Sequence, residues 1–392
     1  MIVNVYPSTV HSRWLMLLVL FVARTAMACQ FQSVASTAPF LVDSLAIDFA
    51  RIGTLIGLYM LPGIFIALPG GMVGQRFGAK NLVLAGLLLM ALGGALMGAS
   101  TSFLPVVAGR LISGTGAVLI NVLVTKMVTD WFVGREIVTA MAILVVSWPL
   151  GLALGLLLFT PLAASQSWNA VMYTAALMAV ASFLLLALTY RNPPGTPAAS
   201  RLGLNLTLTR HEWLGVSLAG SIWMTYNVGY IILISFLPGL FTTRGYSLLE
   251  AGWVVSLLGW MLIPSVPLAG TLAERLHRPN LFLVGGLLIA GLAAAALPFA
   301  NNPIIPFGIL AVVVGVPAGL IMALPTQALR PENRAGGMGV YFTWYYAGMA
   351  LLPGVAGVAR DLTASPAAPA LFATGMMALA IAGLAGFRLV NR

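Results

Sequence analysis

Long apolar runs recur along the whole chain and are separated by short polar or Pro/Gly-containing segments. A helix needs about 20 apolar residues to cross the hydrocarbon core of a bilayer. The runs therefore predict an all-α membrane protein with twelve spanning helices, numbered here span one to span twelve. Their approximate bounds are 14–38, 51–74, 81–100, 103–126, 138–162, 168–190, 213–240, 249–272, 280–299, 304–328, 335–359 and 367–389.

Composition indicates the same class of protein. Of the 392 residues, 60% are hydrophobic and 7% are charged, whereas soluble chains carry about 25% charged residues. A chain of this composition cannot cover its apolar surface by packing on itself. This excludes a soluble enzyme, a nucleic-acid-binding protein and a disordered scaffold. We expect the lipid bilayer, and no nucleic acid, as its surroundings.

The distribution of Lys and Arg predicts how the spans are oriented, because cytoplasmic loops are enriched in positive charge. If both termini are cytoplasmic, fourteen of the 19 positive residues lie on the cytoplasmic side: Arg13, Arg76, Lys80, Lys126, Arg135, Arg191, Arg201, Arg210, Arg275, Arg278, Arg330, Arg334, Arg388 and Arg392. The outer loops then hold three: Arg51, Arg244 and Arg360. An odd number of spans would destroy this bias.

The first apolar run also begins like a signal peptide, with a basic and then an apolar segment. The run from Trp14 to Phe40 is longer than a signal peptide's apolar region of about 7–15 residues, and Arg24 lies in its middle. We therefore expect it to be retained as span one. Cys29 is the single cysteine of the sequence, so no intrachain disulfide can form.

The longest polar stretch, Arg191–Glu212, lies between spans six and seven and contains Pro193, Pro194 and Pro197. Polar, Pro-rich stretches are typical of linkers. We therefore predict a six-helix half over residues 1–190, a cytoplasmic linker over 191–212 and a second six-helix half over 213–392.

A short motif recurs at the same point of each half, with the copies beginning 199 residues apart at positions 71 and 270. The first copy follows span two and contains Gly71, Gln75, Arg76, Gly78 and Lys80. The second copy follows span eight and contains Gly270, Glu274, Arg275 and Arg278. Small residues let helices approach closely, and basic residues are favoured near helix C-termini and lipid phosphates.

This repeated loop resembles the G-x-L-a-D-R-x-G-R-R/K motif of the major facilitator superfamily, a family of twelve-span secondary transporters. Gln75 stands where the family has an acid, and His277 replaces a glycine of the second copy. Arg110 resembles the arginine of the family's span-four R-x-x-x-G pattern, and residues 148–155 partly resemble its antiporter motif. The resemblance implies two pseudo-symmetric halves that rock about a central cavity, with the repeated loops as a conformational switch.

Ionisable residues inside spans indicate functional sites, because burying them in hydrocarbon is costly. All nine acids and all three histidines fall in loops or at span ends. The two charges inside spans are Arg24, about eleven residues and hence about 15 Å into span one, and Arg110 in span four. Each can bind an anion through its planar guanidinium or be satisfied by backbone carbonyls and amides such as Gln30. For Arg110 the family resemblance also implies helix packing or coupling.

The second half has no matching charge and offers aromatic and amide side chains instead; the position equivalent to Arg24 is near Met224. These groups could close over a small anion, although Tyr and Trp are also common at membrane interfaces. The candidate substrate-binding residues besides the two arginines are Gln30, Asn121, Tyr226, Asn227, Tyr230, Trp344 and Tyr345.

These features predict a secondary active transporter that moves a small organic or inorganic anion by alternating access. The arginine in span one also resembles the family's cyanate/nitrate-like branches. The alternative is a multidrug or metabolite efflux antiporter, as the motifs of spans four and five suggest. Without a central acid, exchange or another coupling is expected rather than proton symport. We expect no enzyme activity, cofactor or metal, and a monomer in a bacterial-type inner membrane.

Overall fold

The computed structural model describes residues 8–66, 78–132, 136–193, 208–330 and 333–391. These residues form helices and turns, with no strand among them. In the first half, span one is Ser8–Ser36, followed by a short helix Ala38–Leu45; span two begins as Phe49–Leu58; spans three to six are Ala79–Gly98, Phe103–Phe132, Ile137–Ser165 and Trp168–Thr189. In the second half, spans seven to nine are Arg210–Thr242, Leu248–Arg275 and Pro279–Ala296; span ten comprises Ile304–Val313, Ala318–Ala323 and Pro325–Ala328; spans eleven and twelve are Arg334–Thr363 and Ala368–Val390.

Polar caps fix where several spans begin, because the first backbone N–H groups of a helix have no partner within it. Thr209 with Glu212 and Ser247 with Glu250 form capping boxes at the starts of spans seven and eight. Asp48 accepts a hydrogen bond from the backbone N–H of Arg51 at the start of span two. The ends of these spans are therefore specified locally.

Span ten is interrupted at Pro317, where the sequence predicts a kink. Pro317 has no backbone N–H, and the backbone N–H of Ala318 bonds to the carbonyl of Gly315 rather than to that of Val314. A proline inside a helix both removes a hydrogen bond and displaces the preceding turn. The break leaves the Val314 carbonyl available to a side chain of another span.

Span eleven is less apolar than helices of the spans before and after it, Ile304–Val313 and Ala368–Val390. Eleven helices among the described residues are long and apolar enough to cross a membrane, and Arg334–Thr363 is not one of them although it has 30 residues. Tyr341, Trp344, Tyr345 and Tyr346 lower its apolar character. Polar side chains inside a membrane protein are tolerated where a helix faces other helices or a cavity.

The two halves meet closely where span two begins and span eleven ends. The distribution of Lys and Arg places these ends on the non-cytoplasmic side of the membrane, here called the outer side. A Cβ at Gly53 would lie 2.0 Å from the Pro353 carbonyl oxygen, and one at Gly57 would lie 2.0 Å from that of Ala350. Only glycine permits this approach. Asp361 of span eleven also accepts hydrogen bonds from the backbone N–H groups of Phe49 and Ala50, at 3.2 and 2.7 Å.

Buried apolar residues form one core that includes side chains of both halves, such as Ile52, Leu258 and Met349. A second core contains Val216, Leu324 and other described residues of spans seven and nine to twelve, and no described residue of the first half belongs to it. The halves therefore share a core toward the outer side, whereas the opposite end of the second half packs on itself.

Candidate functional site

Arg24 lies in the middle of span one and is only partly buried. Its Nε donates a hydrogen bond to Asn121 Oδ1 of span four at 3.3 Å, and its Nη1 donates to the Leu144 carbonyl of span five at 2.9 Å. Within the described ranges these are its hydrogen bonds, so Nη2 has no partner there. A guanidinium offers five N–H donors, and Arg24 therefore keeps donors free for another acceptor.

Asn121 connects Arg24 to the other half of the protein. Its Nδ2 donates to the hydroxyl of Tyr346 in span eleven at 3.0 Å. Tyr345 precedes Tyr346 in span eleven, and the two rings lie 5.0 Å apart. Tyr345, one of the predicted site residues, is thus connected to Arg24 through Tyr346 and Asn121. Tyr346 was not among the predicted site residues.

An aromatic cluster of the second half lies beside Tyr345. The Trp223 ring stacks with the rings of Tyr226 and Tyr341 at centroid distances of 5.8 and 6.3 Å, and it lies 6.3 Å from the ring of Tyr345. Trp223 was missed in the sequence analysis. It stands 199 positions after Arg24, which is the offset of the repeated loops, so the repeat applied strictly would have identified it.

The remaining candidates of the second half occupy different environments. Asn227 is partly buried and donates from Nδ2 to the Trp223 carbonyl one turn earlier, at 2.8 Å. The Tyr226 hydroxyl donates to the Val314 carbonyl at 2.8 Å, which satisfies the acceptor left by the break in span ten. The Tyr230 hydroxyl is buried and has no partner among the described residues. The side chain of Trp344 is 42% exposed.

Arg110 and Gln30 are enclosed by the packing of the first half. Arg110 is fully buried and donates to the backbone carbonyls of Leu55, Gln30 and Phe31 at 2.9, 2.8 and 2.6 Å. Its guanidinium carbon lies 4.4 Å from the ring centroid of Tyr59. Gln30 is also buried, and its Nε2 donates to the Met90 carbonyl at 2.8 Å. In this conformation neither side chain is available to a solute.

The two repeated loops share a backbone feature. Gly78 has φ +83° and His277 has φ +51°, and these residues are separated by the same 199 positions as the motif starts. Glycine adopts positive φ without steric cost, so the first copy has the residue that this conformation favours. Gly71, Gln75 and Arg76 lie outside the described residues.

Lys80 fixes the start of span three to the end of span six. Its Nζ donates to the carbonyls of Ala187 and Tyr190, at 3.3 and 2.8 Å, which are acceptors left free at a helix C-terminus. In the second loop Glu274, Arg275 and Arg278 are exposed, and a Cβ at Gly270 would contact nothing within 4 Å. These charged side chains of the second loop are therefore exposed rather than packed against another helix in this conformation.

Comparison with known proteins identifies the family. Residues 16–353 match the family model described as Major Facilitator Superfamily, and the chain belongs to this family. It is therefore a multi-pass membrane protein with the twelve-helix fold of secondary transporters, in two pseudo-symmetric six-helix halves, and it acts on a small-molecule substrate.

Curated relatives carry different substrates in their names. The chain is 25% identical to the multidrug efflux protein YfmO of Bacillus subtilis, over 82% of this chain and 81% of that protein. It is 22% identical to a hexuronate transporter of Bacillus subtilis, over 63% of this chain and 60% of that protein. It is 25% identical to an acurin A biosynthesis cluster MFS-type transporter of Aspergillus aculeatus, over 57% of this chain, but it spans only 44% of that protein's length.

Solved structures share the fold at lower identity. A bacterial homologue of the human lysosomal transporter Spinster, solved in an inward-facing and unoccupied conformation, gives a TM-score of 0.76 at 18% identity and covers 97% of both chains. The nucleoside transporter NupG gives a TM-score of 0.74 at 15% identity, covering 94% of this chain and 99% of that one.

Proposed function

We propose that this transporter carries a small anion bound between Arg24 of the first half and the aromatic cluster of the second half. The supporting observation is the incomplete hydrogen bonding of the Arg24 guanidinium inside the membrane. A charged group with free donors at this depth is costly unless a ligand completes it. Asn121 accepts the hydrogen bond from Arg24 Nε, and the neighbouring rings of Trp223 and Tyr345 supply further polar and aromatic groups from the second half.

The charge balance around Arg24 favours an anion over a cation. Each described salt bridge of the chain involves Arg13, Lys126 or Arg330, and none involves Arg24. A cavity with an unpaired positive charge repels cations and attracts anions. The relative named as a hexuronate transporter shows that acidic solutes occur among similar proteins.

Alternating access is part of the same proposal, with this conformation open toward the cytoplasm. The halves share close backbone contacts and a core toward the outer side, whereas the second core excludes the first half. The similar Spinster homologue is described as inward-facing. The assignment of sides follows from the Lys and Arg distribution, which also supports cytoplasmic termini. The inner membrane as the location is proposed from the family resemblance. We retain a monomer as the expected assembly.

The test is a binding screen on the purified protein in detergent. The panel contains nitrate, bicarbonate, phosphate, acetate and glucuronate, with thermal shift and calorimetry as readouts. At least one anion is expected to stabilise the parent protein and to lose binding in Arg24→Gln. Arg51→Gln is the matched control, because Arg51 is exposed on the outer side next to Phe103. Equal binding by the parent and Arg24→Gln would contradict the proposal.

A second candidate is export of an amphipathic anion such as a carboxylated drug. The partly buried rings of Trp223 and Tyr345, with centroids 6.3 Å apart, favour it, because aromatic faces bury a large apolar area against a flat solute. Uptake of a small anion predicts that Trp223→Leu changes affinity little, whereas drug export predicts a strong loss. Susceptibility of cells expressing each variant to a panel of anionic drugs distinguishes the two.

A further inference from the structure

We infer that Tyr346 is a positioning residue that acts through Asn121 and makes the closure between the halves depend on the occupancy of Arg24. The inference rests on the proposed function in one respect, namely that an anion binds Arg24. The bridge itself consists of three side chains: Arg24 of span one, Asn121 of span four and Tyr346 of span eleven.

The amide of Asn121 is fixed in orientation by its two partners. An asparagine side chain has one accepting carbonyl oxygen and one donating NH₂ group. Oδ1 accepts from Arg24 Nε, and Nδ2 donates to the Tyr346 hydroxyl. Loss of either partner removes one of the two constraints on this amide. Asn121 therefore transmits the state of Arg24 to span eleven.

Tyr346 lies on the helix that closes the outer side. Its ring packs on span two at Gly63, where an added Cβ would lie 2.2 Å from Tyr346 Cδ1. Further along the same helix, the carbonyls of Ala350 and Pro353 contact Gly57 and Gly53. A change in the position of Tyr346 therefore acts on the same span two–span eleven contact that holds the outer side closed.

The guanidinium geometry makes this bridge sensitive to an anion. A carboxylate or oxyanion binds arginine bidentately, through two parallel N–H groups on one edge. The edges are Nε with Nη2, and Nη1 with Nη2. Nη1 is held by the backbone carbonyl of Leu144 and Nε by the neutral amide of Asn121, so an anion on the first edge displaces Asn121.

The consequence is a coupling device that needs no titratable acid. In the empty protein, Arg24 orients Asn121, Asn121 holds Tyr346, and the outer side stays closed. With an anion on Nε and Nη2, Asn121 is released and span eleven can separate from span two. If the outer side opens only when an anion is bound, the empty protein cannot change its orientation. Each anion carried inward must then be followed by one carried outward, which is exchange rather than net flux.

The first test needs no ligand. Spin labels are attached through Ser44→Cys and Thr363→Cys, two exposed positions on the outer sides of the two halves, in a Cys29→Ala background. Pulsed dipolar EPR in detergent is expected to show one short distance in the empty parent. In Tyr346→Phe and in Asn121→Leu the population at longer distance should rise at least threefold. Tyr341→Phe is the control, since it removes a buried tyrosine hydroxyl of the same helix whose partner among the described residues is the Met322 sulfur.

The second test measures coupling in proteoliposomes with the panel anions named above. The parent should exchange anion far faster than it releases it into anion-free buffer, whereas Tyr346→Phe should reduce this ratio at least fivefold with nearly unchanged binding affinity. Unchanged distances in both bridge variants, or an unchanged exchange-to-release ratio, would overturn the inference. If the parent binds no panel anion, the proposed function fails, while the EPR comparison still decides whether the bridge holds the empty protein closed.

Discussion

Arg24 and Arg110 are the same residue type inside neighbouring spans of one half, yet their surroundings differ. Arg110 is completely buried, and three backbone carbonyls and the Tyr59 ring occupy its guanidinium. Arg24 is partly exposed, and it keeps Nη2 free of partners among the described residues. A fully buried guanidinium with a partner on each of its three nitrogens stabilises the fold, whereas a partly exposed one with a nitrogen left free is available for a ligand. The predictions below test this contrast.

The largest effect is expected at Arg110. Arg110→Gln removes the three hydrogen bonds that the guanidinium donates to the carbonyls of Leu55, Gln30 and Phe31, and a hydrogen bond to a charged group is worth about 1.5–3 kcal/mol. We expect a loss of about 3–5 kcal/mol, seen as little folded protein and a strongly lowered Tm by fluorescence-detected size exclusion. Near-parental thermal stability would show that these contacts do not support the fold.

Arg24→Gln should have the opposite profile. The chain loses one charge with two hydrogen bonds, at a partly exposed position, so we expect thermal stability to remain close to that of the parent. Hydrogen bonds to a charged group are worth about 1.5–3 kcal/mol, so anion affinity should fall by about 10- to 150-fold. Calorimetric titration on the same samples measures both. A variant that is unstable but still binds would reverse the roles of the two arginines.

Two uncharged residues of span one, Gln30 and Gln32, show the same difference between a side chain with hydrogen-bond partners and one without them. Gln30 donates to the Met90 carbonyl and accepts from the Tyr59 hydroxyl at 3.4 Å. Gln32 is fully buried, and both of its amide atoms lack a partner among the described residues. Gln30→Met should therefore destabilise the protein by about 1–3 kcal/mol, and Gln32→Met should stabilise it by about 1 kcal/mol. A thermal unfolding comparison checks the sign of each change.

The smallest effect is expected for two tyrosines of span seven. Tyr226→Phe removes the hydrogen bond to the Val314 carbonyl and should cost about 1 kcal/mol. Tyr230→Phe removes a hydroxyl that is buried without a partner, so its stability should be equal or higher. If both variants lose the same stability, the break in span ten does not depend on Tyr226.

Much of the architecture could be predicted because it depends on local composition. The apolar runs predict each span, and the cap residues Thr209 and Ser247 lie at the starts of the spans that they begin. In span ten, Pro317 predicts a kink, and the helix is interrupted there. In span eleven the aromatic residues make the helix less apolar than its neighbours, because it faces the other half rather than lipid alone.

The candidate site was predicted less completely. The sequence identified Arg24, Asn121 and Tyr345, which the fold brings together. It also suggested Arg110 and Gln30, which are enclosed, and Trp344, which is largely exposed. Trp223 and Tyr346 were not among the predicted site residues. The 199-residue offset applied strictly to Arg24 identifies Trp223, whereas nothing in the local sequence distinguishes Tyr346 from a tyrosine at the membrane interface.

The sequence by itself determined the number of spans, the half-chain repeat and the presence of two intramembrane arginines without intramembrane acids. These properties follow from residue type and spacing along the chain. The tertiary structure alone decided which arginine is satisfied, because its acceptors come from other helices. Arg110 reaches carbonyls of spans one and two, and among the described residues Arg24 is hydrogen-bonded to the other half through Asn121 and Tyr346. Hydrogen-bond partners so distant in sequence are set by helix packing and not by any local pattern.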